Sequence, residues 1–148
     1  VGDGPARAEV EKQLPHAVLT GGLGGEDLPR AVASMDVFCS TGELETFCQA
    51  VQEAKACGLP VISPRKGGPI DLIDPSRTGW LYEPGDMTDF RSRVVDLVGD
   101  DYKRHAMGIA ARASIENRTW ENLCAELVEH YKEAIRLAGR STRIRAVL

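Results

Sequence analysis

Val37-Phe38-Cys39-Ser40-Thr41-Gly42-Glu43-Leu44-Glu45-Thr46-Phe47-Cys48-Gln49-Ala50-Val51-Gln52-Glu53, continuing through Ala54-Lys55-Ala56-Cys57-Gly58-Leu59-Pro60-Val61-Ile62-Ser63, decides the fold. Residues 37–40 form a short apolar strand run. Phe47, Ala50, Val51 and Ala54 then recur at helical spacing until Gly58 stops them, and residues 61–63 form a second strand. A strand, a helix and a strand joined by connections of a few residues make a βαβ unit, because parallel strands need a crossover and a helix is the usual one.

The same alternation extends outward. Upstream, Pro5 suits a first helical turn, and residues 6–13 continue it. Residues 17–20 read as a strand ending in Gly21-Gly22, and Leu28, Ala31, Val32 and Met35 follow helical spacing. Downstream, residues 67–73 turn into a short helix, and Trp80-Leu81-Tyr82 is a strand before Pro84-Gly85. From residue 87 the pattern is helical. Asp86 caps a helix with Phe90, Val94, Leu97 and Val98 on one face, closed by Gly99. A second helix covers about residues 101–117. Thr119 caps a third, in which Trp120, Leu123, Cys124, Leu127, Val128, Tyr131 and Ile135 make one apolar stripe, expected to dock on this or a neighbouring domain. The expected fold class is therefore α/β, a Rossmann-like parallel sheet with helices on both faces and a C-terminal helical segment. Residues 1–118 are expected to form the sheet-bearing half, 119–138 a terminal amphipathic helix and 139–148 a basic tail. The tail is frayed or, because Ile144, Ala146 and Leu148 alternate with Arg143, Arg145 and Val147, a short strand.

The composition narrows the function classes. With 148 residues, a net charge of −4, 43% hydrophobic and 27% charged residues, the chain has the balance of one globular domain. An acidic balance argues against a nucleic-acid binder, and no apolar run approaches a membrane span. The chain is expected to be soluble and cytoplasmic. Cys39, Cys48, Cys57 and Cys124 form no CxxC pair and are not spaced with the histidines as metal ligands, so reduced, mostly buried thiols are expected. Most of the 15 glycines and all 8 prolines fall before residue 87, as expected of a fold with many short connections. The chain opens on Val1 without Met and reads as a piece of something longer.

Chemistry concentrates in residues 42–53. Following a strand and opening a helix, this segment belongs at the carboxyl edge of a parallel sheet, where open α/β folds bind ligands. Unbonded N–H groups and the positive dipole end at a helix start suit a diphosphate. Glu45 and Glu53 lie eight positions apart, about 12 Å along a helix, so the two carboxylates reach different groups. Each has two acceptor oxygens suited to vicinal sugar hydroxyls, which a nucleotide-sugar carries at both ends.

At these residues the chain resembles retaining nucleotide-sugar glycosyltransferases of GT-B architecture, family 4, whose signature is E-x7-E. Val1-Gly2-Asp3-Gly4-Pro5 is similar to that family's strand-to-helix turn, Thr20-Gly21 to its next strand end, and Ala56-Cys57-Gly58-Leu59-Pro60-Val61-Ile62 to its SGLPVV run. Gly67-Gly68-Pro69-Ile70-Asp71 is similar to its Gly-Gly loop, and residues 78–86 to its GLLVPPGD element. The ordered set covers residues 1–137 and looks most like actinobacterial GDP-mannose-dependent α-mannosyltransferases.

The resemblance implies a donor-binding C-terminal domain of an enzyme that moves a hexose, mannose, from GDP-mannose or another nucleoside-diphosphate sugar to a lipid or glycan acceptor. Glu45 would hold the donor sugar in the catalytic role. Thr46, Phe47, Cys48 and Gln49 would line the sugar and diphosphate by their backbone, and Glu53 would hold the ribose. Gly21, Gly22 and Leu23 are expected near the nucleobase, Gly2 and Gly4 near the domain cleft, with Arg65, Lys66, Gly67, Gly68 and Asp71 as further candidates. Cys48 stands where the family commonly has glycine, and its side chain is expected to narrow the ligand's approach. The motifs imply no metal and no other cofactor. The family's first strand of this domain is expected before Val1. An N-terminal acceptor-binding domain would complete the enzyme, peripheral on the inner face of the plasma membrane, and the isolated chain would be inactive. Two other readings compete. A dinucleotide fingerprint at Gly2-Asp3-Gly4-Pro5-Ala6-Arg7 fails because Arg7 replaces the third glycine. A non-catalytic nucleotide-binding or flavodoxin-like regulatory module is the alternative.

Overall fold

The computed structural model describes residues 1–145, the last six of them as backbone only. Among the described residues the elements follow in the order α1 (Arg7–Gln13), α2 (Asp27–Ala33), β1 (Phe38–Cys39), α3 (Gln49–Ala56), β2 (Val61–Pro64), α4 (Pro69–Leu72), β3 (Gly79–Tyr82), α5 (Met87–Val98), α6 (Asp101–Ile115) and α7 (Trp120–Arg145). The strands form a parallel sheet in the order β1-β2-β3, with Phe38 opposite Val61 and Ile62 opposite Trp80.

All four residues of β2 are buried, as expected of a central strand covered on both faces. Strand alternation divides the core. Val61 and Leu81 point to one face, where they meet Val32 of α2, Val51 and Ala54 of α3, Leu72 of α4 and Ile115 of α6. Ile62 and Tyr82 point to the other, against Leu97 of α5 and Met107 of α6, with Phe90, Val94 and Trp80 at its margin. The expected α/β architecture with helices on both faces is thus present.

Asp86 caps α5 as the sequence indicates, its Oδ1 accepting from the Thr88 N–H at 2.9 Å and the Asp89 N–H at 3.0 Å, an arrangement that stabilises a helix by about 1 kcal/mol. Thr119 Oγ1 accepts from the Asn122 N–H at 3.2 Å at the start of α7. The chain divides into two compact units, Val1–Ile115 and one that begins at Glu116. Within the second, the apolar stripe of α7 is exposed at Trp120, Leu127, Val128, Tyr131 and Ile135.

Several expectations are corrected. Residues 17–20 are not a strand. Val18 is 85% exposed, and the segment ends in a single antiparallel bridge between Gly21 and Gly2, whereas a strand exists only through a ladder of partners. The tail is not a strand through residue 145, since α7 continues to Arg145. Each residue added to an existing helix gains its own hydrogen bond. Residues 146–148 lie outside the described residues. Val98 is exposed rather than on the buried face of α5. Of the four free thiols, Cys48 is buried and Cys57 half-buried, but Cys39 and Cys124 are exposed, so the thiols are not mostly buried.

Candidate functional site

Parallel strands bring three loops, residues 40–48, 65–68 and 83–86, to the same carboxyl edge of the sheet. The first two are locked together. The Gly68 N–H donates to the Glu45 carbonyl at 2.8 Å, and Lys66 Nζ pairs with Glu43 Oε2 at 3.0 Å. The approach is too close for side chains. A Cβ on Gly67, at φ 66°, would stand 2.5 Å from the Glu45 carbonyl oxygen, and one on Gly68 would stand 2.2 Å from that of Thr46. The glycine pair therefore does more than turn the chain: it lets one loop lie against the backbone of the other.

The segment 45–53 differs from the sequence-based picture in one respect. The helix begins at Gln49, not near Phe47, so only the second half of the Glu45–Glu53 interval is helical and a 12 Å helical rise does not separate the carboxylates. Cys48, the residue before α3, adopts the left-handed conformation (φ 56°, ψ 51°). That conformation is natural for glycine and uncommon for other residues. The Cys48 side chain does not narrow a ligand's approach, because it is 3% exposed and belongs to the core beneath the loop. Burial, and after it the Glu45 carboxylate, raises the Cys48 thiol above its usual range, which keeps it protonated and a poor nucleophile.

With Cys48 turned inward, the first turn of α3 presents exposed Gln49 and Ala50, and its leading N–H groups have no carbonyl within the helix. Glu45 is exposed beside this turn and folds back over Gly42, whose absent side chain leaves it room: a Cβ there would lie 3.2 Å from Glu45 Oε1. Glu53, half-buried one turn along α3, accepts from Gln49 Nε2 at 3.0 Å. It also lines a cleft of about 320 Å³ with Gly25, Leu28, Pro29, Val32, Ala56 and Cys57.

The remaining candidates form a second group. Gly2 donates its N–H to the Gly21 carbonyl at 2.8 Å, and Arg7 Nη2 donates to the Leu19 carbonyl at 3.2 Å. This joins the Gly2-Gly4 turn to the Gly21-Gly22-Leu23 turn around a cleft of about 350 Å³ that Gly2, Gly4 and Leu19 line. The Arg65 N–H donates to the Tyr82 carbonyl at 2.8 Å. Lys66 acts toward Glu43. Asp71 is exposed on α4. Among the described residues no three His, Cys, Asp or Glu side chains gather as a metal site. Sequence reading overlooked two residues on the inner face of α3: Gln52 and Lys55, both buried.

Residues 1–114 match the family described as glycosyl transferases group 1. The chain belongs to that family. Within the glycosyl transferases group 1, it is 50% identical over 143 residues to a GDP-mannose-dependent alpha-mannosyltransferase of Mycobacterium tuberculosis, covering 96% of this chain and 36% of that protein. It is 44% identical over 140 residues to the Corynebacterium glutamicum protein of the same description, covering 95% and 34%. The chain thus spans about a third of the length of these relatives. Its fold is that of the sucrose-phosphate synthase of Thermosynechococcus elongatus, with a TM-score of 0.78 at 20% identity, over 89% of this chain and 34% of that one.

Proposed function

We propose that this chain is the donor-binding part of a retaining glycosyltransferase that moves mannose from GDP-mannose. The observation that carries the reading is the start of α3, where left-handed Cys48 buries its side chain and leaves an open helix N-terminus beside the exposed Glu45 carboxylate. The relatives described as GDP-mannose-dependent support the choice of donor.

The diphosphate sits at the first N–H groups of α3, where the helix dipole favours negative charge. Glu45 accepts hydrogen bonds from the sugar hydroxyls, and Glu53 from the ribose hydroxyls, each carboxylate offering two oxygens. As the bond between the anomeric carbon and the phosphate oxygen breaks, its electron pair leaves with the diphosphate and the sugar gains oxocarbenium character. The helix start opposes the growing negative charge while Glu45 fixes the sugar's orientation. The clefts beside Glu53 and Gly2 give the rest of the nucleotide room. Acceptor recognition is assigned to another part of an intact transferase, and the chain alone binds donor without transferring it.

Calorimetric titration of the chain with GDP-mannose, GDP, UDP and NAD tests this. GDP-mannose and GDP bind. Glu53→Gln weakens both by about tenfold, the equivalent of ~1.4 kcal/mol, whereas Glu45→Gln weakens GDP-mannose and spares GDP. Binding of NAD without any nucleoside diphosphate would overturn the reading.

A further inference from the structure

The buried face of α3 carries two polar side chains that the donor contacts above leave unused. Gln52 is 7% exposed and Lys55 2%, although each lies beside apolar Val51 or Ala54. Three residues apart, they share a helix face. Gln52 Nε2 donates to the Phe47 carbonyl at 2.7 Å, inside the loop that carries Glu45. Lys55 Nζ donates to the Leu72 carbonyl at the end of α4. An ammonium in a core is costly to desolvate, and an apolar residue of similar volume often serves stability as well or better. Stability alone is therefore a weak reason for a lysine here.

We propose that Lys55, together with Gln52, is a positioning residue that sets the carboxyl-edge loops for the donor. The proposal rests on the donor reading above. Its geometry is a short chain of contacts. Lys55 holds the last residue of α4, a helix of only four residues, too short to be stable alone. The residue that precedes α4 is Gly68, whose N–H holds the Glu45 carbonyl at 2.8 Å. Gln52 holds the same loop two residues further on, at Phe47. The backbone of Glu45 is thus fixed by α4 from one side and by α3 from the other, and its carboxylate projects from a prearranged frame.

The test uses the full chain with Lys55→Met, close in volume but without a donor, and Lys55→Gln, a shorter neutral donor. Amide hydrogen exchange at Gly68 and GDP-mannose affinity are measured at a temperature where circular dichroism shows each variant folded. In Lys55→Met, exchange at Gly68 quickens by about tenfold or more and affinity falls by about fivefold or more, while the thermal midpoint changes little or rises. Lys55→Gln recovers part of both losses. Unchanged exchange at Gly68, or a lowered midpoint with unchanged affinity, overturns the proposal. Should Lys55→Met fail to fold, Gln52→Leu carries the test, with affinity falling if the proposal holds and staying at the wild-type value if it does not. A wild-type chain that binds no GDP-mannose overturns the donor reading instead, and exchange at Gly68 then decides the loop clamp by itself.

Discussion

The two faces of the sheet are built from different materials. On the α3–α4 face, backbone lies on backbone: the Gly67-Gly68 pair against Glu45 and Thr46, with Gln52 and Lys55 bonded from within to the carbonyls of Phe47 and Leu72. On the other face, where α5 meets the start of α6, side chains do the joining. Trp80 Nε1 and Lys103 Nζ both donate to Asp96, at 2.9 and 2.6 Å, Arg93 lies 4.8 Å from the centroid of the Trp80 ring, and Asp89 accepts from the Glu83 N–H at 2.9 Å and from Arg93 Nε at 2.9 Å. Main-chain contact fixes positions and tolerates no added atom, whereas a network of half-exposed charges adjusts and depends on pH. The first suits a site, the second a support.

The contrast breaks most sharply at Gly68. A Cβ there meets the Thr46 carbonyl at 2.2 Å and Cys48 Sγ at 2.8 Å. Gly68→Ala is therefore expected to push the loop off Glu45, costing about 3 kcal/mol and reducing GDP-mannose affinity by roughly a hundredfold, equivalent to ~2.8 kcal/mol. Thermal melts and calorimetry check both numbers. Leu97, fully buried on the opposite face, gives the converse. Leu97→Ala should cost about 2–5 kcal/mol and leave donor affinity unchanged wherever the protein is folded.

Acid separates the faces more gently. The Glu83 N–H bond chiefly, with Arg93, lowers the Asp89 pKa, and the Lys103 hydrogen bond chiefly, with Trp80, lowers that of Asp96. Groups depressed in the folded state contribute stability that is complete above the ordinary carboxylate range and is lost as pH falls through it toward their folded values. The thermal midpoint should thus drop as pH falls below about 4, and drop less in Asp96→Asn; an identical acid profile in the variant would remove Asp96 from the account. The smallest effect is expected at Ser63, whose buried hydroxyl has no hydrogen-bond partner among the described residues. Ser63→Ala should be neutral or stabilising, by up to about 1 kcal/mol, measured by denaturant titration.

Much of this was legible in the sequence. The βαβ reading of residues 37–63 holds because a buried strand, a helix with an apolar face and a glycine stop each leave a local signature. The Asp86 cap is legible for the same reason. What escaped depends on partners distant in sequence. Residues 17–20 have the composition of a strand but no ladder, and composition does not report a ladder. Lys55 was not singled out because nothing near it in sequence announces the Leu72 carbonyl, 17 residues on, that accepts its hydrogen bond. Cys48 escaped as well. The helical spacing from Phe47 placed it inside the helix rather than before it, and its inward turn follows from a positive φ that one residue name does not reveal.

The central claim is that the start of α3, at the carboxyl edge of the sheet, receives the donor's diphosphate. Backbone amide chemical shifts of the ¹⁵N-labelled chain during a GDP-mannose titration test it directly. The largest saturable changes should fall on residues 46–51 and on Gly67 and Gly68. Changes centred instead on the cleft at the opposite edge of the sheet, around Asp36, Asp101 and His105, or the absence of saturable change, would contradict it.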